Sequence, residues 1–260
     1  MVHYNMAKTR ILGYLQGRKL VGLLKWFEVK GKQVVIYILN QKGYDLVRRF
    51  PRPQWPEEKS RFEYQKLFNK FDIAPGSVVL DIGSGAYPFP LATILCDRYI
   101  ETTRHRYEEI VLDKRPFLLI NIETLPFPNK IFDFVYCSHV LEHVDNPLQA
   151  CAEIVRVGKR GYIETPTLAK DMLFSWAKGM HKWHVVSISN KLIFFEYSER
   201  QAVGVQSKAW YEAIFSPYYH PLQDLYYNNP DIFNVMFTWE GGFGCIAYYL
   251  DGRVVHASLE

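Results

Sequence analysis

The stretch Val78-Val79-Leu80-Asp81-Ile82-Gly83-Ser84-Gly85 limits the possible folds more than any other part of this chain. Apolar, β-favouring residues run into an acid, and the acid runs into a Gly-x-Gly turn. A strand that ends in such a turn lets backbone approach a ligand with no Cβ in the way. It also sets an acid at the carboxyl end of a strand, where open α/β sheets bind their ligands. A dinucleotide-binding turn would go on to a third glycine, whereas Ala86-Tyr87-Pro88-Phe89-Pro90 follows here, with a proline in its place. This counts against a hydride-transfer Rossmann domain. Pro88 and Pro90 also restrict any helix here to a short one.

Downstream, apolar strands alternate with helical or turn segments. Ala92–Asp97 reads as the second strand and again ends in an acid. The alternative is Glu109–Asp113, which would make residues 89–97 a helix; the first reading is favoured. Phe117–Ile120 is the third strand and leads into Asn121-Ile122-Glu123-Thr124-Leu125-Pro126-Phe127. Phe132–Cys137 is the fourth, followed by Ser138-His139-Val140-Leu141-Glu142-His143-Val144. Asn146 is a good N-cap and Pro147 a good first position for a helix over Leu148–Val157, which Gly158 ends. Gly161-Tyr162-Ile163-Glu164 is the fifth strand. The pattern predicts an α/β fold with a doubly wound, mostly parallel sheet covered on both faces.

The flanks are less regular. Residues 26–39 read as a β-hairpin turning at Lys30-Gly31-Lys32, and Pro51, Pro53 and Pro56 mark a linker. The expected division is a basic N-terminal extension, 1–56, and a domain over 57–260 with an aromatic-rich insertion around 181–230. Helical spacing appears over 57–71 and again over 168–180. Val185–Ile188 and Leu192–Phe195 read as hairpin-like, and Phe233–Trp239 with Phe243–Leu250 as a closing β-hairpin. Residues 1–50 carry ten Lys/Arg against Glu28 and Asp45, so the overall charge of +4 hides an acidic body. A basic arm of this kind can meet phosphates or an anionic membrane surface, or simply form a solvated face that balances the acidic body. Lys8, Arg10, Arg18 and Lys19 among Ile11, Leu12, Leu15, Leu20 and Leu23 read as a basic amphipathic helix, for which packing on the domain is favoured over peripheral membrane contact. Cys96, Cys137, Cys151 and Cys245 are far apart with no CxxC pair, which reads as reduced, small apolar fillers in a cytoplasmic protein. No apolar run reaches membrane-spanning length, and no signal-peptide core is evident. The sequence says nothing of oligomeric state.

Taken in order, LDIGSG, a strand ending in an acid, NIETLPF, FDFVYCSHVLEHVDNP and GYIETP resemble the class I S-adenosylmethionine-dependent methyltransferases, in particular methyltransferase type 11. The similarity covers residues 57–166. It implies a Rossmann-like sheet of seven-stranded type with an antiparallel last strand, S-adenosylmethionine as cofactor, and residue roles at the matching positions. Asp81, Gly83, Ser84 and Gly85 would hold its amino-acid end. Asp97, or alternatively Asp113, would pair with the ribose hydroxyls. Asn121 stands where the family often has an acid accepting from the adenine amino group, and its amide oxygen can still accept. Ile122 would offer its backbone N–H to the ring. Ser138, His139 and Val140 would border the cofactor and open onto the substrate side.

Methyl transfer is an in-line displacement, so the protein has to align the groups and remove a proton where the nucleophile is a hydroxyl. Candidate bases are His139, His143 and Glu164, then His181 and His184. A capping or backbone-bonding role competes at His143, and a clamp or cap at Glu164. His181 and His184, three apart, offer two metal ligands with no third nearby in sequence, so no metal is expected. The clustered Tyr and Trp of the last third suit stacking on a sugar or base, or an aromatic core; the core is favoured. The expected acceptor is a small molecule or glycan-like. Two rivals remain: a non-catalytic S-adenosylmethionine-binding scaffold, kept open by Asn121, and a nucleic-acid methyltransferase using the basic arm. The second lacks an N/D-P-P-Y/F motif and a pyrimidine-type cysteine nucleophile motif.

Overall fold

The computed structural model describes residues 28–35, 37–38, 41–42, 61–103, 106, 108–174, 180–198 and 208–259. The linker prolines 51, 53 and 56 and the basic residues before Glu28 lie outside the described residues. The chain divides into two compact units, Met1–Phe50 and Pro51–Glu260. In the first, residues 28–35 are helical, which corrects the hairpin expected over 26–39. Glu28 and Lys32 meet at 3.3 Å one helical turn apart. That acid-before-base order suits a helix, whereas the reading as strands rested on the β preference of Val29, Val34 and Val35.

In the second unit, two-residue periodicity builds the central sheet. Five strands run parallel: β1 (Val79–Ile82), β2 (Ile94–Asp97), β3 (Phe117–Leu119), β4 (Phe134–Ser138) and β5 (Arg160–Pro166). A further strand, β8 (Asn234–Glu240), pairs antiparallel with β5, giving the order β3-β2-β1-β4-β5-β8. The described sheet therefore has six strands rather than the seven that the resemblance implied. Leu80, Ile82, Val135, Cys137 and Ile163 point to one face, where α2 (Pro147–Val157) packs on them through Ala150, Cys151, Ile154 and Val155. Asn146 caps that helix by accepting from the Gln149 N–H at 3.2 Å, and Pro147 opens it. Val79, Leu95, Phe134, Tyr136 and Tyr162 point to the other face. Phe71 and Phe89 cover it, and Phe89 stacks on Tyr136 with ring centroids 4.1 Å apart. Helix α1 (Arg61–Phe68) lies on the same side, with Tyr64 and Gln65 buried. The prolines after Gly85 have their expected effect: β1 and β2 are joined by turns without a helix.

A second sheet packs against α2 through Leu192, Phe194, Cys245 and Ala247. Its order is β10-β9-β7-β6, built from β6 (Trp183–Ser187), β7 (Lys191–Glu196), β9 (Phe243–Tyr248) and β10 (Val254–Leu259). Strands β6 and β7 form the expected hairpin. The closing hairpin is corrected: β8 belongs to the central sheet, whereas β9 pairs with β10 and β7 in the second. Gly241, at φ +75°, and Gly242 turn the chain from one sheet to the other. Between α3 (Leu168–Phe174) and β8 lie α4 (Lys208–Ile214), α5 (Pro221–Asn228) and the short α6 (Pro230–Phe233). Ile214, Tyr226, Tyr227 and Phe233 bury one another there, so this aromatic stretch makes a small core. All four cysteines are free and buried. No helix among the described residues is long and apolar enough to cross a membrane.

Gly161 shows how tightly the central sheet is closed. A Cβ there would lie 2.2 Å from the Val135 carbonyl oxygen and 3.0 Å from Trp239 Nε1. Gly161→Ala is expected to cost about 1–3 kcal/mol by overpacking, seen as a lower urea midpoint at unchanged slope. An unshifted midpoint would contradict the packing described.

Candidate functional site

The strand order reverses direction between β1 and β4, and open α/β sheets form their crevice at such a point. Register places the expected site residues along one edge of the sheet. Ile82 is level with Cys96 of β2 and Cys137 of β4, Asp97 with Leu119 of β3, and Ser138 with Glu164 of β5. Asp81, Gly83, Ser84, Gly85, Asp97, Asn121, Ile122, Ser138 and His139 thus all fall at or just beyond the carboxyl ends of parallel strands.

Gly83 and Gly85 take positive φ, +73° and +49°. A Cβ on Gly83 would stand 2.3 Å from Val140 Cγ2, so the turn after β1 and the turn after β4 approach each other across a gap that only glycine leaves. The N–H groups of Gly83 and Ser84 both donate to the Cys96 carbonyl, at 2.8 and 3.0 Å. They hold the turn to β2 and do not point into the crevice, as those of an anion-cradling turn would. Ser84 Oγ is buried with no hydrogen-bond partner among the described residues. Asp81 is buried and accepts from the Phe89 N–H at 2.7 Å. Burial pushes its carboxyl up to about 7, against the pull of that N–H and of Arg61 and Arg115.

Asp97 closes β2, and Asp113 lies in the following loop, where Arg115 pairs with it at 2.6 Å. Asp97 Oδ2 accepts from the Gly85 N–H at 3.2 Å and from Arg106 Nη1 at 3.0 Å, and Oδ1 accepts from the Tyr99 N–H at 3.0 Å. Asn121 caps a turn of 3₁₀ helix (Ile122–Thr124), its side-chain oxygen accepting from the Glu123 N–H at 3.1 Å. Ile122 is buried beneath it.

Beyond β4 the charges gather. His139 has φ +58°, unusual for a residue with a Cβ. Its Nε2 lies 3.2 Å from Glu164 Oε1 and its Nδ1 lies 3.3 Å from Glu142 Oε1. Glu164 has no solvent exposure; it also accepts from Tyr64 Oη, Tyr162 Oη and, at 3.0 Å, Gln65 Nε2. Burial alone would raise both carboxylates. His139, Tyr162 and Tyr64 outweigh it at Glu164, and His139, His143 and His181 outweigh it at Glu142, so each is held at about 2. Arg61 brings a guanidinium to the same place, its Nη1 3.5 Å from Ser138 Oγ. Burial would lower its pKa, but Tyr136, Tyr64, Glu164 and Asp81 raise it further. Arg61, Tyr64 and Gln65 escaped the sequence reading, although their i, i+3, i+4 spacing puts them on one helix face.

His143 turns the other way, with Nδ1 3.0 Å from the Met180 carbonyl and Nε2 3.8 Å from Glu142 Oε1. His184 sits on β6, stacked on Phe195. A cleft of about 720 Å³ opens beside His181, lined by Asp145, Lys182, Glu196, Tyr197, Tyr249 and Arg253 among others.

Residues 80–163 match the family described as Methyltransferase domain. This part of the chain is a methyltransferase domain. A protein of Methanocaldococcus jannaschii, described as uncharacterized, is 32% identical over 127 residues, covering 46% of this chain and 56% of its own. The chain thus spans little more than half the length of that curated relative. Among solved structures, a SAM-dependent methyltransferase from Aquifex aeolicus is similar at 20% identity and a TM-score of 0.30, over 40% of this chain and 64% of that one. A protein from Pyrococcus horikoshii is similar at 20% identity and a TM-score of 0.34, over 51% of this chain and 67% of that one. Within the methyltransferase domain, the glycine turn, Asp97 and the β4 end are the residues that meet at the crevice.

The Asp81 carboxyl holds its proton more tightly in the folded chain than in the unfolded one. Its contribution to stability is therefore fully present below the ordinary carboxylate range and is lost as pH rises through about 7. Asp81→Asn is expected to remove that part of the slope, at most about 4 kcal/mol. Thermal melts of both proteins between pH 5 and 8 test this, and a wild-type chain that gains stability over Asp81→Asn as pH rises would contradict it.

Proposed function

We propose that the chain transfers a methyl group from S-adenosylmethionine to a small polar or glycan-like acceptor. The observation that carries the reading is the pair of left-handed glycines at the β1 end, set against Val140 on one side and Asp97 on the other. They bring bare backbone to the strand ends, packed close against Val140 and Arg106, and Ser84 Oγ, with no hydrogen-bond partner among the described residues, stands in the same turn. These features fit the cofactor. When bound, it supplies an electrophilic methyl on a sulfonium.

The protein's own part is to position and to manage charge. Asp97 takes the ribose hydroxyls, with the Arg106 contact giving way, since one carboxylate can accept two hydrogen bonds. The Asn121 amide and Ile122 border the adenine. Arg61, beside Ser138 and Asp81, faces the carboxylate of the amino-acid end. His139 stands where the acceptor must arrive. Glu164, held at about 2, and Glu142 face its two ring nitrogens and fix the ring there, so its part is to position the acceptor. The polar cleft beside His181 has the size of a small-molecule site. It supports a small polar acceptor.

Calorimetric titration with S-adenosylmethionine should show one site. Gly83→Val should abolish it, because the added side chain meets Val140. Asp97→Ala should weaken it by about 1–3 kcal/mol, as for a charge-assisted bond, while Asp113→Ala leaves it unchanged. Unaltered binding in Gly83→Val would sink the assignment. A screen of acceptors with methyl-labelled cofactor then separates enzyme from scaffold. His139→Ala should retain cofactor binding and lose turnover.

A further inference from the structure

Glu142, His143 and His181 come together from two separate parts of the chain, and each offers a ligand atom within 4.8 Å of the others. The loop after β4 thus supplies two ligands beside His181, and His184, three residues on, takes no part. The loop and the 180–183 segment are fastened together: the N–H groups of Lys182 and Trp183 donate to the Glu142 carbonyl at 2.7 and 3.2 Å, and Trp183 Nε1 donates to the Val144 carbonyl at 2.9 Å.

Each histidine is already oriented from behind. His181 Nδ1 lies 2.9 Å from Asp171 Oδ2, a buried carboxylate that also accepts from Tyr197 Oη at 2.9 Å. His143 Nδ1 lies 3.0 Å from the Met180 carbonyl oxygen. With Nδ1–H donating in both rings, Nε2 is the nitrogen that carries a lone pair towards the cluster. A carboxylate or carbonyl behind an imidazole is the arrangement that fixes the tautomer of a metal-binding histidine. The two rings are 4.7 Å apart between centroids and cross at 72°, edge to face rather than stacked. Glu142 is 1% exposed, and neither of its oxygens has a hydrogen-bond partner among the described residues. A buried carboxylate met only by imidazoles at 3.3 and 3.8 Å is costly, and a cation would offset that cost.

We propose that Glu142, His143 and His181 form a site for one divalent transition-metal ion, with Asp171 as the group that holds His181 in place. Two imidazoles and one carboxylate are a donor set for zinc, cobalt or iron rather than for magnesium or calcium. Metal bonds of about 2.1 Å put neighbouring ligand atoms about 3.4 Å apart, so the cluster has only a short distance to close. The cleft that His181 lines gives the ion its entry path and leaves coordination positions open. His139 also faces Glu142, so the ion would sit between the cofactor edge and the cleft, where an acceptor oxygen can reach it. The site stands on these side chains alone, and its test reads metal binding whether or not methyl transfer is found.

The test is titration of the full, tag-free chain with Co²⁺, followed by visible absorption and by displacement with Zn²⁺. Expected is one Co²⁺ per chain with the intensified bands of a nitrogen–oxygen site. His181→Ala and Glu142→Gln should lose that spectrum, and Asp171→Asn should weaken binding about 10–100-fold. His184→Ala should match wild type, since that ring packs on Phe195 outside the cluster. Circular dichroism of each variant separates a lost site from a lost fold, and Asp171→Asn, which retains all three ligands, keeps the proposal open to refutation if a ligand variant unfolds. No stoichiometric Co²⁺ in the wild-type chain, or equal affinity in His181→Ala and His184→Ala, would overturn the proposal.

Discussion

A carboxylate with no access to water must be answered by donors, and at Glu164 the answer organises this end of the molecule. Tyr162 reaches it from its own strand, Tyr64 and Gln65 from α1, and His139 from the turn after β4. Gln65 extends the network, accepting from Tyr136 Oη at 2.9 Å. Removing one donor would leave part of a buried charge unmet, a loss of several kcal/mol in a buried ion pair. The same network therefore fixes where α1 lies on the sheet, where Arg61 delivers its charge and which way the His139 ring faces. Stability and the candidate chemistry share these atoms.

Charge is distributed unevenly around that point. Glu142 and Glu164 are held low, so their contribution is present at neutral pH and lost as pH falls towards 2. Asp81 is held high, and its contribution runs the other way. One crevice thus carries two firm anions and one carboxyl near its midpoint, with Arg61 among them. A cationic sulfonium brought to this edge would meet a net negative surround, while its own carboxylate has Arg61 to face.

Much of the sheet was legible because its information is local. The apolar run into LDIGSG, the acid at Asp97 and the Asn146-Pro147 cap each specify an element within a few residues. Pro88 and Pro90 limited any helix between β1 and β2 to a short one, and the structure has only turns there. The errors came where partners are distant. Alternation along Val235–Trp239 and Phe243–Tyr248 cannot say which sheet each strand joins, and so β8 and β9 read as one hairpin although Gly241 and Gly242 carry the chain between sheets. The donors to Glu164 and the meeting of Glu142 with His181 were likewise beyond local pattern, since no spacing rule links residues that only the folded sheet brings together.

The central claim is that the carboxyl edge of β1, β2 and β4 holds S-adenosylmethionine. The most direct measurement is a crystal structure of the chain grown with S-adenosylhomocysteine. The account predicts the product lying across Gly83 and Gly85, its ribose on Asp97 with Arg106 displaced, and its sulfur directed towards His139. Density for the product elsewhere, or an edge with the Asp97–Arg106 pair intact and no product at saturating concentration, would contradict it.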